Sequence, residues 1–152
     1  PPDSNLRLRK IADCKRILCA SPEYLSRMGT PVSTNDLIDG FHNCLLLRYP
    51  RSPEYFWTVK TNNGFQKLNV SGKFDADDGD VLTQWALSGH GIVNKPYFEI
   101  REHLEKSNLI QVLPAKTTIS SIIGCLHTHK KLQDPKITHF MDYIMKNCSH
   151  LT

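Results

Sequence analysis

Residues 74 to 80 read Phe-Asp-Ala-Asp-Asp-Gly-Asp, four aspartates in six positions, and an apolar, helix-like segment follows at once. Carboxylates this dense can hold a metal, perform acid–base chemistry or start a helix. A calcium loop wants oxygen ligands at alternating positions, glycine at the sixth and glutamate at the twelfth. Counted from Asp75, the sixth position is Asp80 and the twelfth is Ala86, so the pattern fails at both. Asp75 and Asp77 share one face of a strand end, but no companion nucleophile or base stands near them in sequence. The local reading is the stronger one. Asp77 or Asp78 caps a helix, an acid in its first turn suits the positive end of the helix dipole, and Val81, Leu82 and Trp85 face inward at 3.6-residue spacing. Helix amides at a strand end are also where α/β proteins bind ligands. The aspartates are therefore expected to border a binding cleft without doing chemistry.

Few other residues invite a catalytic reading. His127 and His129 fall on one strand face, but two histidines without a third ligand nearby give no metal site. The chain carries no P-loop, GxGxxG, GxSxG or HExxH pattern, so neither an enzyme nor a cofactor is expected. The five cysteines form an odd set without CxxC spacing; Cys19, Cys44 and Cys125 sit in apolar runs, as reduced buried thiols do.

The elements that must position these residues alternate between period-2 and period-3.6 patterning, which signals an α/β protein. Leu6–Ala12 alternates as a strand with one wet face carrying Arg7 and Arg9, and residues 15–21 form a second, more buried strand. Ser21 caps the next helix, Pro22 suits its first turn and Gly29 ends it. A capped helix from Ser33 or Thr34 to Phe41 leads to the buried strand 43–49. A hairpin folds around Thr61-Asn62-Asn63-Gly64. Helix 79–88, a brief strand closed by Pro96, helix 97–106, strands 109–114 and 121–129, and a helix from Asp134-Pro135 to about Asn147 complete the reading. There is no internal repeat and no low-complexity tract.

With 152 residues, 39% hydrophobic and 22% charged, the chain has the composition of a soluble globular protein. No apolar run reaches the ~20 residues of a membrane span, and the first ten residues lack the apolar core of a signal peptide. A cytoplasmic protein with no membrane partner is expected. A net charge of +4, with Lys and Arg spread along the chain, gives little support to direct nucleic-acid binding by these residues.

The stretch KRILCASPEYLSRMGTPVSTNDLIDGFHNCLLLRY is very similar to one found in LysR-type transcriptional regulators, where a strand ending A-S-P-x-Y-L precedes G-T-P and a D-L helix. The tryptophan strand, the acidic strand end, the G-x-G-I turn with its proline, LIQVLP and the closing strand and helix follow in the family's order. The resemblance covers essentially the whole chain. It implies an effector-binding domain with an α/β, type 2 periplasmic binding protein-like fold of two lobes, the first lobe incomplete. Residues 20–106 would be the second lobe, and 1–19 with 107–152 the remaining part of the first. The winged helix-turn-helix domain would be absent, so promoter DNA would be reached only through that N-terminal domain. A small-molecule effector, often a carboxylate in this family, would lie between the lobes of a homo-oligomer, a dimer or tetramer. Mapped onto this sequence, its contacts would be Ser21 and Pro22, Tyr49, Pro50 and Arg51, Phe74, Asp75, Asp77, Asp78 and Gly79, Gly91, Ile92 and Val93, and His127 and Thr128. Gly91 would be the point where a Cβ blocks a ligand's approach. A solute-binding protein of a transport system shares the same lobes and stands as the alternative.

Overall fold

The computed structural model describes residues 6–48, 56–114, 118–128 and 139; for 6–14 and 118–128 it describes the backbone alone. The chain divides into two compact units, residues 1–14 with 120–152 and residues 15–119. The sequence reading placed these boundaries at 19/20 and 106/107. In the structure 15–19 stay with the larger unit, because they pair with strands inside it.

In the smaller unit the described backbone is extended over 6–14 and 120–128, and His139 is helical. The two strands expected at 6–12 and 15–21 are one continuous strand, β1 (Leu6–Ala20). No glycine or proline interrupts it.

The larger unit is built on the second half of β1. Ser21 leaves the strand in an extended conformation and accepts a hydrogen bond from the Tyr24 amide at 3.1 Å, capping α1 (Pro22–Met28). Gly29 ends that helix at φ 81°, as its position predicts. The expected helix from 33 or 34 to 41 contracts to α2 (Asn35–Ile38). Asp36 turns its carboxylate back onto the amides of Val32 and Ser33, at 2.8 and 3.0 Å, which fixes the entry to this short turn. The strand expected at 43–49 ladders only as β2 (Leu46–Leu47), preceded by a parallel bridge from Cys44 to Ile92.

β3 (Phe56–Thr61) and β4 (Gly64–Asn69) form the hairpin that the Asn-Gly signal predicts. β5 (Asp75–Ala76) lies parallel to β2 and runs into α3 (Gly79–Leu87). β6 (Val93–Pro96) pairs antiparallel with β1 and passes directly into α4 (Tyr97–Glu105). β7 (Ile110–Val112) returns along β1, and β8 (Thr118–Thr128) joins the sheet. The six-stranded sheet runs β4-β3-β8-β1-β6, with β7 also on β1; β2 and β5 make a separate two-stranded ladder. The expected C-terminal helix lies outside the described residues, apart from His139.

The core of the larger unit has two sides because residues 17–20 of β1 are buried on both faces. Leu18 and Ala20 pack with Tyr24, Leu37, Cys44, Leu46, the hairpin's Trp57, Val59 and Leu68, and Ile92. Ile17 and Cys19 point the opposite way, into Leu45, Leu82, Ala86, Val93 and Ile100. The period-2 alternation of an extended chain sorts neighbouring side chains into these two layers. Each fully buried leucine or isoleucine contributes about 1.5–3 kcal/mol. α1 and the hairpin thus cover one face, α3 and α4 the other.

Candidate functional site

Strand directions decide which candidate residues come together. β1 runs antiparallel to β6, with Arg16 opposite Pro96 and Cys19 opposite Val93. Ile92 bridges Cys44 in parallel, and Leu46 and Leu47 oppose Asp75 and Ala76, also in parallel. One end of the larger unit's strands therefore carries Arg16, Arg48, Asp77 and Pro96. The other carries Ala20 with Ser21, Asn43, and Gly91 with Ile92. At about 3.3 Å per residue, the passage from Arg16 to Ala20 separates the two ends by about 13 Å.

The acidic turn belongs to the first end. Asp78 is the residue that caps α3, its Oδ1 accepting from the Asp80 amide at 2.9 Å. Asp75 pairs with the Arg48 guanidinium at 2.8 Å, and the Arg48 amide donates to the Ala76 carbonyl at 2.7 Å. Asp77 is exposed and makes no hydrogen bond or ion pair among the described residues. Lys95 lies beneath the turn. It is only 5% exposed, donates to the Gly79 carbonyl at 3.0 Å and pairs with Glu99 at 2.6 Å. Arg16 adds a third cation near the same strand ends and donates to the Asn94 carbonyl at 3.0 Å. The four-aspartate segment is thus offset by Arg48, Lys95 and the start of α3, with one carboxylate spent on capping. Sequence reasoning missed Lys95 and Arg48. The only signals were a lysine inside the apolar run 92–96 and an arginine closing a leucine strand.

The remaining candidates fall elsewhere. Ser21 is buried, its hydroxyl engaged by the Tyr24 amide, while Pro22 is exposed beside it. Ile92 and Val93 are fully buried in the core. Phe74 is 43% exposed and packs on Trp85 and His90. Gly91 is required by the backbone packed against it. A Cβ there would overlap the Asn43 carbonyl of the neighbouring strand, so the close approach it permits is between backbones. Gly72 serves the same segment from the other side, where a Cβ would overlap the Cys44 carbonyl. Tyr49, Pro50 and Arg51 lie outside the described residues. His127 and Thr128 belong to β8, described there as backbone only.

At this second end, Tyr24, His42 and Asn43 form a buried polar chain. The Asn43 amide donates to the Tyr24 hydroxyl at 3.0 Å, leaving that hydroxyl's proton for His42 Nδ1 at 2.9 Å. Burial raises the Tyr24 phenol above its ordinary range and lowers the His42 imidazole below its own, so the pair is neutral near pH 7. Burial likewise pushes the thiols of Cys19 and Cys44 up to about 12. Among the described residues no group of three His, Cys, Asp or Glu side chains could hold a metal, and no helix is long and apolar enough to cross a membrane.

The α/β elements, antiparallel pairings in the six-stranded sheet beside a parallel β2–β5 ladder, fit the type 2 periplasmic binding protein-like fold of the regulatory domains that the chain resembles. The particular family follows from comparison: the LysR substrate-binding domain model matches residues 1–149, and the chain belongs to that family. It is 34% identical over 110 residues to the HTH-type transcriptional regulator DmlR of Escherichia coli, spanning 72% of this chain and 35% of that protein. It superposes on the regulatory domain of CrgA, a LysR-type transcriptional regulator from Neisseria meningitidis, with a TM-score of 0.81 and 30% identity, covering 97% of this chain and 71% of that one. The full-length Vibrio cholerae virulence activator AphB gives a TM-score of 0.76 at 33% identity, covering 96% and 49%. The chain thus spans about a third of DmlR and about half of full-length AphB. These likenesses support the regulator reading and lend none to the transport alternative.

Proposed function

We propose that the chain is the sensing part of a transcriptional regulator, without catalytic activity of its own. A small molecule, a carboxylate by preference, is recognised at the strand ends that carry Arg48, Asp75, Asp77, Asp78 and Gly79, with Tyr49, Pro50 and Arg51 kept as candidates from the sequence. The match of residues 1–149 to the LysR substrate-binding family carries this reading. Arg48, Lys95 and the start of α3 support it by supplying positive potential where the aspartates alone would repel an anion. Effector binding then shifts the populations of a homo-oligomer in the cytoplasm and alters promoter binding through a DNA-binding domain outside these residues.

A thermal-shift screen of small mono- and dicarboxylates on the regulator tests the proposal. A ligand present at 100 times its dissociation constant stabilises the folded state by about 2.7 kcal/mol. Arg51→Ala and Asp77→Asn, the latter a change of an exposed side chain, should reduce or redirect that response. If neither variant alters the stabilisation given by a binding acid, this strand end is not the effector site.

A further inference from the structure

A cavity of about 570 Å³ opens at the far end of the larger unit, at the opposite ends of the strands from Asp77. That volume suits a small organic ligand. Its floor is rigid. Asn43 donates through Nδ2 to the His90 carbonyl at 2.6 Å and accepts at Oδ1 from the Lys73 amide at 2.7 Å, tying together the two loops that wall the cavity. Behind it stands the neutral Tyr24–His42 pair.

The lining is one-sided in charge. Arg27 and Lys73 are its charged side chains, and no aspartate or glutamate lines it. Arg27 is already engaged, donating to the Gly89 carbonyl at 2.7 Å and pairing with Glu23. Lys73 is exposed, and its ammonium has no hydrogen bond or ion pair among the described residues. The nearby carboxylates are spent on their own turns, Asp36 on the Val32 and Ser33 amides and Asp39 on the Phe41 amide. The apolar part of the lining is Met28 and aromatic rings. Phe41, 61% exposed, meets His42 edge-on at 5.3 Å, and Phe74, 43% exposed, meets His90 at 5.8 Å. Two exposed phenylalanines beside an unpaired ammonium offer ring contacts to a flat apolar body and a charge-assisted hydrogen bond to an anion.

We propose that this cavity is a second ligand site, separate from the strand end of the proposed effector, which takes a small aromatic carboxylate between Phe41 and Phe74 with its charge on Lys73. The probe is benzoate, titrated into the protein and followed by amide resonances, with benzamide and acetate as controls. Saturable shifts at Asn43, Lys73, Phe74 and His90 are expected, weaker with either control. Lys73→Gln and Phe41→Ala change exposed side chains and should each weaken benzoate by about tenfold. Asp77→Asn should leave its affinity unchanged. The proposal is overturned by the absence of a saturable shift at millimolar benzoate, by shifts confined to Arg48 and Ala76–Gly79, by benzamide or acetate binding as well as benzoate, or by full affinity in Lys73→Gln.

Discussion

Tyr24→Phe removes one oxygen and tests how the distal end of the larger unit is held together. Tyr24 is 1% exposed, and its hydroxyl serves two partners, accepting from the Asn43 amide at 3.0 Å and donating to His42 Nδ1 at 2.9 Å. The phenylalanine ring fills the same volume, so no cavity term enters. What is lost is pairing. A buried donor or acceptor left without a partner costs about 1–3 kcal/mol. Asn43 is only half-buried and can rehydrate, whereas His42, 4% exposed, cannot do so readily. The net expectation is a loss of about 2 kcal/mol, which for a chain of this size lowers Tm by roughly 4–8 °C. Thermal and urea unfolding at pH 7.5 measure it. A double-mutant cycle with His42→Leu should give a coupling of about 1 kcal/mol, since removing both polar partners leaves less unsatisfied than removing one. The pH dependence supplies an independent readout. Burial holds the folded His42 below the ordinary value of 6.5, against the opposing pull of Asp36 and Asp39. Above 6.5 the ring is neutral in both states and contributes no slope. As pH falls through 6.5 the unfolded chain takes up a proton that the folded chain does not, so stability drops until the folded ring titrates too. His42→Leu should flatten that part of the profile between pH 7 and the folded value. A Tyr24→Phe protein within 0.5 kcal/mol of the parent, additive with His42→Leu, would refute the reasoning.

Two further outcomes are expected. Gly91→Ala should lose several kcal/mol or fail to accumulate as soluble protein, because its methyl meets the Asn43 carbonyl, whereas Gly79→Ala meets only the side-chain tip of Lys95 at 3.0 Å and should cost much less; chemical denaturation of the pair compares them directly. Cys19 and Cys44, both fully buried and both with thiols pushed up to about 12, should resist alkylation at pH 8 until urea unfolds the chain, and peptide mass spectrometry showing native labelling at either would contradict their burial.

Local chemistry was the legible part of the sequence. Ser21, Pro22 and Gly29 bounded α1, the Asn-Gly turn placed the hairpin, and the aspartate run marked the start of α3, because each signal acts within a few residues of itself. Elements shaped by distant partners were misjudged. The strand read at 43–49 ladders only at Leu46–Leu47, since its neighbours are short segments near 71–76 and 92 that no local pattern announces. The helix read to Phe41 stops at Ile38, where Asp39 turns back to accept from the Phe41 amide.

The candidate site shows the same boundary more sharply. A motif maps residues in chain order and says nothing about which end of a strand they occupy. Ser21, Gly91 and Asp77 look like members of one set until the antiparallel register of β1 with β6 and the parallel register of β2 with β5 send them to opposite ends. A glycine in sequence announces that something comes close, yet not what. At position 91 the neighbour is the backbone of Asn43, and at 72 it is that of Cys44, so close backbone packing calls for a glycine at both. Lys95 was hidden for the complementary reason. The role of this lysine appears only when α3 and α4 bring the Gly79 carbonyl and Glu99 to it. A glycine or a lysine takes its role here from which chain segment folds against it, and that was the information the sequence withheld.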